Sequence, residues 1–556
     1  MLDNCAGTDQ VPAYVRRHPR AGATDNQAFG QNRHQSGQRD PTTRRQHMHT
    51  QVHTSPPAQT ARAPYTQTRS FSTIALIELW ERFGYYGMQA LIVYFLVQRL
   101  GFEDSRANLV WSACAALIYV SPAIGGWIGD KVLGTRRCMR IGAMILALGY
   151  ALMAFPTQNT WFIFSALGVV VVGNGLFKPN TANMVRKIYE GDDSKIDSAF
   201  TLYYMAVNVG STVSILATPA IKDYVNANYG DGLGWHAAFA VCAVGLVIGL
   251  INLSFASRTI AHIGSTPDQS PVRVDKLLMV LGAGVVMVGA SAVILQYQSI
   301  ARAFVYIAGI VVLGIFTHLI RISAPNERAG LIAALVLTLQ TVFFFIFYQQ
   351  MSTSLSLFAL RNVDLDFSLF GAHLFTWSPA QFQALNAIWI MLLSPVLAGI
   401  YAVAGRSGKD LSIAGKFALG FAMVAVGFFV YGIAGQFAVG GKTSSWVMII
   451  GYGCYSLGEL LVSGLGLAMI ARYVPARMGG FMMGAYFVAV GISQYLGGVV
   501  ANLASVPKDM VDPLLTLPIY TSLFNKLGIG AIACTLIALA ALPLMRRLTA
   551  THHSHS

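Results

Sequence analysis

Along this chain the apolar residues gather into long blocks, such as Phe304–Ile320 and Phe417–Val439, with short polar stretches between them. A helix needs about twenty apolar residues to cross the hydrocarbon of a bilayer. The pattern predicts about fourteen such helices, over residues 73–98, 108–129, 138–156, 160–185, 198–221, 234–256, 274–297, 302–321, 330–359, 382–403, 412–436, 444–471, 478–502 and 526–546. Glycine and proline inside several blocks do not argue against helices, because neighbouring helices satisfy the backbone groups they free. The expected fold class is an all-α membrane protein. Residues 1–66 break the pattern: they are rich in Gln, Arg, Thr, His and Pro and show no apolar period. Such a segment cannot bury enough surface to offset the entropy of ordering, so a disordered cytoplasmic tail is expected. It lacks the apolar core of a cleaved signal, and Met48 is an alternative start.

Composition agrees with the pattern. Of 556 residues, 54% are hydrophobic and 11% charged, against about 25% charged in an ordinary soluble domain, and the mean hydropathy is +0.54. The net charge of +14 would suggest nucleic acid in a soluble protein. Here much of it lies in short loops on one side: Lys131, Arg136, Arg137 and Arg140, then Arg186, Lys187 and Lys195, then Arg258, Arg273 and Lys276. Arg321, Arg328, Arg406, Lys409, Lys416, Arg472 and Arg477 continue that side, while the alternate loops carry mostly single charges, Lys222, Arg302, Arg361 and Lys442. Cytoplasmic loops hold the excess of Lys and Arg. A cell (inner) membrane location with both termini cytoplasmic is therefore expected, without a nucleic-acid partner. Cys5, Cys114, Cys138, Cys242, Cys454 and Cys534 lack the spacing of a metal site or disulfide framework. His236, His318 and His373 are isolated, and the terminal HHSHS is a solvated tail. No metal or cofactor is expected.

Charges within the apolar blocks carry the chemistry. A charge at the centre of a span costs at least about 2.5–3.5 kcal/mol on insertion scales, so those present usually face a cavity. The first span reads ELWERFGYYG, with Glu78, Glu81 and Arg82 at helical spacing, so that Glu78 and Arg82 share a face. Lys178 stands before Pro179 in GNGLFKPN, and Glu459 lies in YSLGELLVSG. Three acids and two bases suit a zwitterionic solute; static ion pairs between helices are the alternative. Burial favours a neutral carboxyl and Arg82 favours the carboxylate, so a solute that engages Arg82 would free Glu78 or Glu81 to take a proton. The two acids titrate as a pair, and the sequence does not say which one accepts the proton. Tyr85, Tyr86, Tyr119, Asn208 and Asn386 are further polar positions within spans.

Glu78–Tyr86 resembles the ExxERFxYY signature of the proton-dependent oligopeptide transporter family of the major facilitator superfamily. GGWIGDKVLGTRR at Gly125–Arg137 resembles the superfamily's cytoplasmic loop motif, with Gly126, Asp130, Gly134, Arg136 and Arg137 at its characteristic positions. GNGLFKPN, FTLYYMAVNVGS at Phe200–Ser211 and GELLVSGLGLAMIARYVPAR at Gly458–Arg477 are similar to further family signatures. The resemblance spans residues 72 to 545. It implies two six-helix bundles, here 67–257 and 328–547, with a linker at 258–327 that carries two additional lipid-facing helices, and a polar tail at 548–556. It also implies that Arg82 and Lys178 meet a peptide carboxylate, Glu459 its amino group, and Asn208 and Asn386 its backbone, with Tyr85, Tyr86 and Tyr119 lining the same pocket.

One departure is notable. Relatives usually carry an acid in a phrase like FWxxxEQ, whereas this chain reads FFIFYQQMSTS, with Phe345 for the tryptophan and Gln349 for the acid. Gly464 and Tyr486 stand where the family often has Pro and Trp. An atypical branch is implied, with Gln349 in the binding pocket but unable to exchange a proton. The resemblance implies a proton-coupled symporter that imports di- and tripeptides by alternating access. Another small solute, such as nitrate, an amino acid derivative or a peptide-like drug, is the competing expectation, and a non-transporting peptide sensor is a further one. No nucleophile with its base, metal set or phosphate loop suggests an enzyme. A monomer is the working expectation for its assembly.

Overall fold

The computed structural model describes residues 65–407, 411–463, 469–470, 473–475, 478–510 and 512–553. The expected N-terminal tail before Tyr65, with Cys5 and Met48, lies outside the described residues, as do Lys409, Gly464, Arg472, Arg477 and the end of the terminal HHSHS.

The apolar blocks fold into helices. The first six are α1 (Gln67–Tyr94), α2 (Asp104–Lys131), α3 (Thr135–Met153), α4 (Thr160–Ile188), α5 (Asp193–Tyr229) and α6 (Leu233–Phe255). Then come α7 (Val274–Gln296), α8 (Gln298–Ile322), α9 (Pro325–Tyr348) and the short α10 (Ser354–Asn362). A hairpin of β1 (Asp366–Leu369) and antiparallel β2 (Ala372–Thr376) leads into α11 (Ala384–Arg406) and α12 (Ile413–Ala434). α13 (Trp446–Val462), α14 (Gly479–Ala501) and α15 (Pro513–His553) complete the chain. Starts are set by local chemistry: the Asn159 side chain caps α4 by accepting from the Trp161 amide at 2.9 Å.

Eleven helical stretches among the described residues are long and apolar enough to cross a membrane. α1 and α3 dilute their apolar character with charge, Glu78, Glu81 and Arg82 in one and Arg136, Arg137 and Arg140 in the other. The helix starting at Trp446 is described only as far as Val462, so the second half of the 444–471 span lies outside that description. Two spans are longer than expected by more than ten residues. α5 runs from Asp193 to Tyr229, and the last helix begins at Pro513, not near residue 526, and runs to His553 through part of the supposed polar tail. The added turns of α5 are polar, with Asp193, Lys195, Asp223 and Asn226, whereas those at the start of the last helix are apolar but carry Pro518, which reads as a break and here lies inside the helix.

α1–α6 form one bundle, and α9 with α11–α15 form the other. Within each, small residues let backbones approach closely. A Cβ on Gly125 of α2 would lie 1.8 Å from the Gly175 carbonyl oxygen of α4, and one on Gly458 of α13 would lie 2.8 Å from the Gly420 carbonyl oxygen of α12. Across the bundles, α2 packs on α14 and α5 on α11. α7 lies against α4 and α2, while α8 lies against α14 and α9. These two additional helices thus touch both bundles, and their remaining faces are exposed, including Val285 and Val286 of α7 and Ile310 of α8.

Hydrogen bonds tie the bundles together at the end where α1 stops and α2 starts. Arg361 grips Asp104 with both guanidinium nitrogens, at 2.6 and 2.8 Å, and also donates to the Tyr520 hydroxyl at 2.6 Å. Asn108 donates to Asn502 at 3.1 Å, Tyr94 to the Ser356 carbonyl at 2.8 Å, and the Trp111 indole to the Ser352 hydroxyl at 2.9 Å.

Candidate solute-binding site

α1 brings three buried charges to the interior of the first bundle. Arg82 lies 3.3 Å from Glu78 and forms a still shorter pair with Glu81, and none of the three is more than 3% exposed. Their charge-pairing is incomplete: among the described residues, one oxygen of each carboxylate and Nη2 of Arg82 have no hydrogen-bond partner. The arginine's remaining face is turned to aromatic groups, with its guanidinium 5.1 Å from the ring centre of Tyr85. Lys178 from α4 stands 5.4 Å from the ring centre of Tyr119 on α2. Pro179, the next residue, is inside α4 and removes one backbone donor there.

The opposite charge comes from the second bundle. Glu459 on α13 is 7% exposed and accepts from the Asn386 amide of α11 at 2.7 Å; Asn386 also donates to Ser456 at 3.1 Å. Between the bundles lie two adjoining lobes that share part of their walls. One is lined by Arg82, Tyr85, Tyr119, Lys178, Gln349 and Gln494, the other by Tyr204, Asn208, Ser211, Asn386 and Glu459, and both are bordered by Tyr86, Gln89 and Tyr348. The lobes hold about 30 and 40 Å³ respectively, room for a few waters at most. A larger solute requires the bundles or their side chains to part.

Every substrate-contact residue expected from the sequence therefore lines one lobe or the other. Glu78 and Glu81 line neither; they stand behind Arg82. Gln349 makes a neutral bond across the bundles, donating to the Ser112 hydroxyl at 3.1 Å. Asn208 donates to the Tyr204 carbonyl at 2.8 Å, one helical turn earlier. The loop motif has a different place. Asp130 accepts from Asn183 of α4 at 2.8 Å, and Arg136 and Arg137 donate to backbone carbonyls of the segment after α6, including Ile260 at 3.3 Å and Pro267 at 2.8 Å. Gly134 precedes α3 at φ 106°, and Gly126 packs near Pro179.

Sequence reasoning missed several groups. Gln89 lies seven residues, two helical turns, beyond Arg82 on the same face, so periodicity could have found it. Tyr348 lies within the FWxxxEQ-like phrase, directly before Gln349, and Tyr204 precedes Asn208 by one turn. Asp268 had no such signal: its carboxylate accepts the backbone amides of Ser265, Arg136 and Arg137 at 3.0, 3.0 and 3.3 Å, closing the start of α3. The Asp104–Arg361 pair joins residues 257 positions apart, and only the fold brings them together.

A multi-pass helical protein with an enclosed chamber between two bundles, lined by basic groups on one side and an acid on the other, is a membrane transporter of the major facilitator fold and not an enzyme. The POT family model, PTR2, matches residues 136–521. The chain belongs to the POT family. It is 40% identical over 487 residues to the dipeptide and tripeptide permease A of Pectobacterium carotovorum subsp. carotovorum (strain PC1), covering 87% of this chain and 93% of that one. With permease A of Escherichia coli (strain K12) the identity is 38% over 487 residues, 87% and 94% of the two chains. Among solved structures, a bacterial homologue of the human drug peptide transporters PepT1 and PepT2 is 72% identical with a TM-score of 0.80, covering 87% of this chain and all (100%) of that one. Tetrameric PepTSo2 is 71% identical with a TM-score of 0.81 and the same coverage, 87% and 100%. The peptide transporter POT in complex with sulfate is 27% identical with a TM-score of 0.73, covering 86% and 95%.

Proposed function

We propose that this protein imports di- and tripeptides across the cell's inner membrane by proton-coupled alternating access, with both termini cytoplasmic. The observation that carries this reading is the polarity of the chamber: Arg82 and Lys178 on one bundle, Glu459 on the other, with amide and hydroxyl groups between them. Such an arrangement matches the two charged ends of a short peptide and leaves its side chains to the aromatic walls. Charged termini are costly to desolvate unless fixed partners receive them, and the two bundles supply one set each. Arg82 and Lys178 receive the carboxylate, Glu459 the amino group, and Asn208 and Asn386 the backbone. Glu78 and Glu81 then carry the proton, since Gln349 cannot. Dipeptide and tripeptide permeases at about 40% identity support the peptide class, and the POT family supports proton coupling. Uptake of labelled dipeptide into proteoliposomes under an imposed inward proton gradient tests the whole reading. Uptake that competes with nitrate and not with dipeptides would favour another solute.

The Asp104–Arg361 clamp holds the chamber shut at the extracellular end. Asp104 is 2% exposed, and removing one partner of a buried pair is costly because the other charge is left behind. Asp104→Asn is expected to raise the population open at that end by about tenfold or more, at roughly 1.5–3 kcal/mol for a charged hydrogen bond. Spin labels at Glu103 and Lys508, one on each bundle, check it: their mean distance lengthens in the variant, and an unchanged distribution removes the clamp.

Assembly is proposed as a tetramer, the state of the PepTSo2 relative, in place of the monomer expected from sequence. The β-hairpin supports this. At its tip, where the turn holds Phe370 at φ 51°, Phe370 is 101% exposed beside exposed Leu369, and a neighbouring subunit would cover this apolar pair. Phe370→Asp is expected to shift the purified protein from tetramer to smaller species by light scattering; an unaltered tetramer would exclude the hairpin from the contact.

A further inference from the structure

A second built pocket lies away from the peptide chamber, where α1 begins and α6 ends. It has a volume of about 420 Å³. Its wall is held by hydrogen bonds between the first two turns of α1 and the segment that follows α6: Ser70 donates to the Thr259 carbonyl at 2.7 Å, and the Thr73 and Thr259 hydroxyls meet at 2.9 Å. Two arginines line it, Arg69 from α1 and Arg258 from the segment. Among the described residues neither forms an ion pair with a carboxylate. The Arg69 group lies 5.6 Å from the ring centre of Tyr65, which orients it. Among the described residues no acidic one lines the pocket, and the first turn of α1 contains none, so the helix dipole adds to the positive potential.

The rim is apolar. Leu76 is 41% and Phe255 86% exposed, and Phe255 is the last residue of the apolar stretch of α6. The pocket therefore sits at the depth where hydrocarbon gives way to headgroups, on the side where the basic loops gather.

We propose that this pocket binds an anionic glycerophospholipid, its phosphate between Arg69 and Arg258 and the upper part of an acyl chain against Leu76 and Phe255. Charge complementarity selects the phosphate. The exposed Phe255 and Leu76 select a lipid over free phosphate, which would leave both uncovered.

Native mass spectrometry of the full chain in detergent, with phosphatidylglycerol, phosphatidylcholine or inorganic phosphate added, tests the proposal. Phosphatidylglycerol is expected to remain bound where phosphatidylcholine dissociates. Arg69→Gln or Arg258→Gln weakens it about fivefold each, and the double variant about thirtyfold, the usual worth of a basic residue against an anionic headgroup. Arg321→Gln with Arg406→Gln removes the same charge from other exposed positions on that side and is expected to weaken it less than about threefold. Equal loss in that control, equal retention of phosphatidylcholine, or displacement of phosphatidylglycerol by inorganic phosphate at equal concentration would each overturn the site.

Discussion

Liposomes containing the Glu81→Gln protein are expected to accumulate no peptide against its gradient, while still exchanging external peptide for peptide loaded inside. Glu81 is fully buried at 0% exposure, and it is faced by Arg82 and Glu78 from its own helix, by Lys178 from α4 and by the Tyr150 ring system from α3. In this crowded site two carboxylates share one guanidinium. When a peptide carboxylate draws on Arg82, the pair loses part of its compensation, and a proton is the smallest charge able to restore it. Glutamine keeps the volume and a hydrogen-bonding end but cannot carry that proton. Uphill uptake should fall to the level of empty liposomes, and exchange, which needs no net proton movement, should stay within about threefold of the native rate. Glu78→Gln, tested in parallel, shows which acid of the pair is required. Survival of uphill uptake in both variants would remove α1 as the proton carrier.

The second large effect falls on the other bundle. Glu459→Gln is expected to raise the half-saturating concentration of a free dipeptide by about ten- to a hundredfold, as roughly 1.5–3 kcal/mol for a charged hydrogen bond implies. The carboxamide oxygen of the substituted side chain can still accept from Asn386, which in the native protein donates to the carboxylate at 2.7 Å, so the local fold is retained. An N-acetylated dipeptide has no ammonium group to lose, and its half-saturating concentration should change less than about threefold. If both ligands weaken equally, the residue supports packing and does not read the amino end.

Much of this was legible from the chain itself, and the reasons are physical. Hydrocarbon demands apolar helices of at least a set length, which is why the spans stand out, whereas helix ends such as Pro513 and His553 and the Asp366–Thr376 hairpin between spans left no such mark. The same environment makes a charge conspicuous: Glu78, Glu81, Arg82, Lys178 and Glu459 were visible because apolar blocks seldom tolerate them. Neutral polar groups carry no such mark. Gln494 and Gln383 enter the chamber by geometry alone. The Asp104–Arg361 clamp was hidden for another reason, since each residue sits at the end of a span where charge is ordinary. Asp268 was passed over as part of a polar linker, although it closes the start of α3 and receives the loop motif's backbone amides.

The account turns on opposite charges from two bundles receiving the two ends of one peptide. The most direct measurement is inhibition of proton-driven dialanine uptake by unlabelled dialanine, by its N-acetyl form and by its C-terminal amide, in the native protein. The account predicts that either block weakens inhibition at least about tenfold, and that Glu459→Gln removes the penalty for the acetyl group alone. Equal inhibition by all three compounds would contradict it.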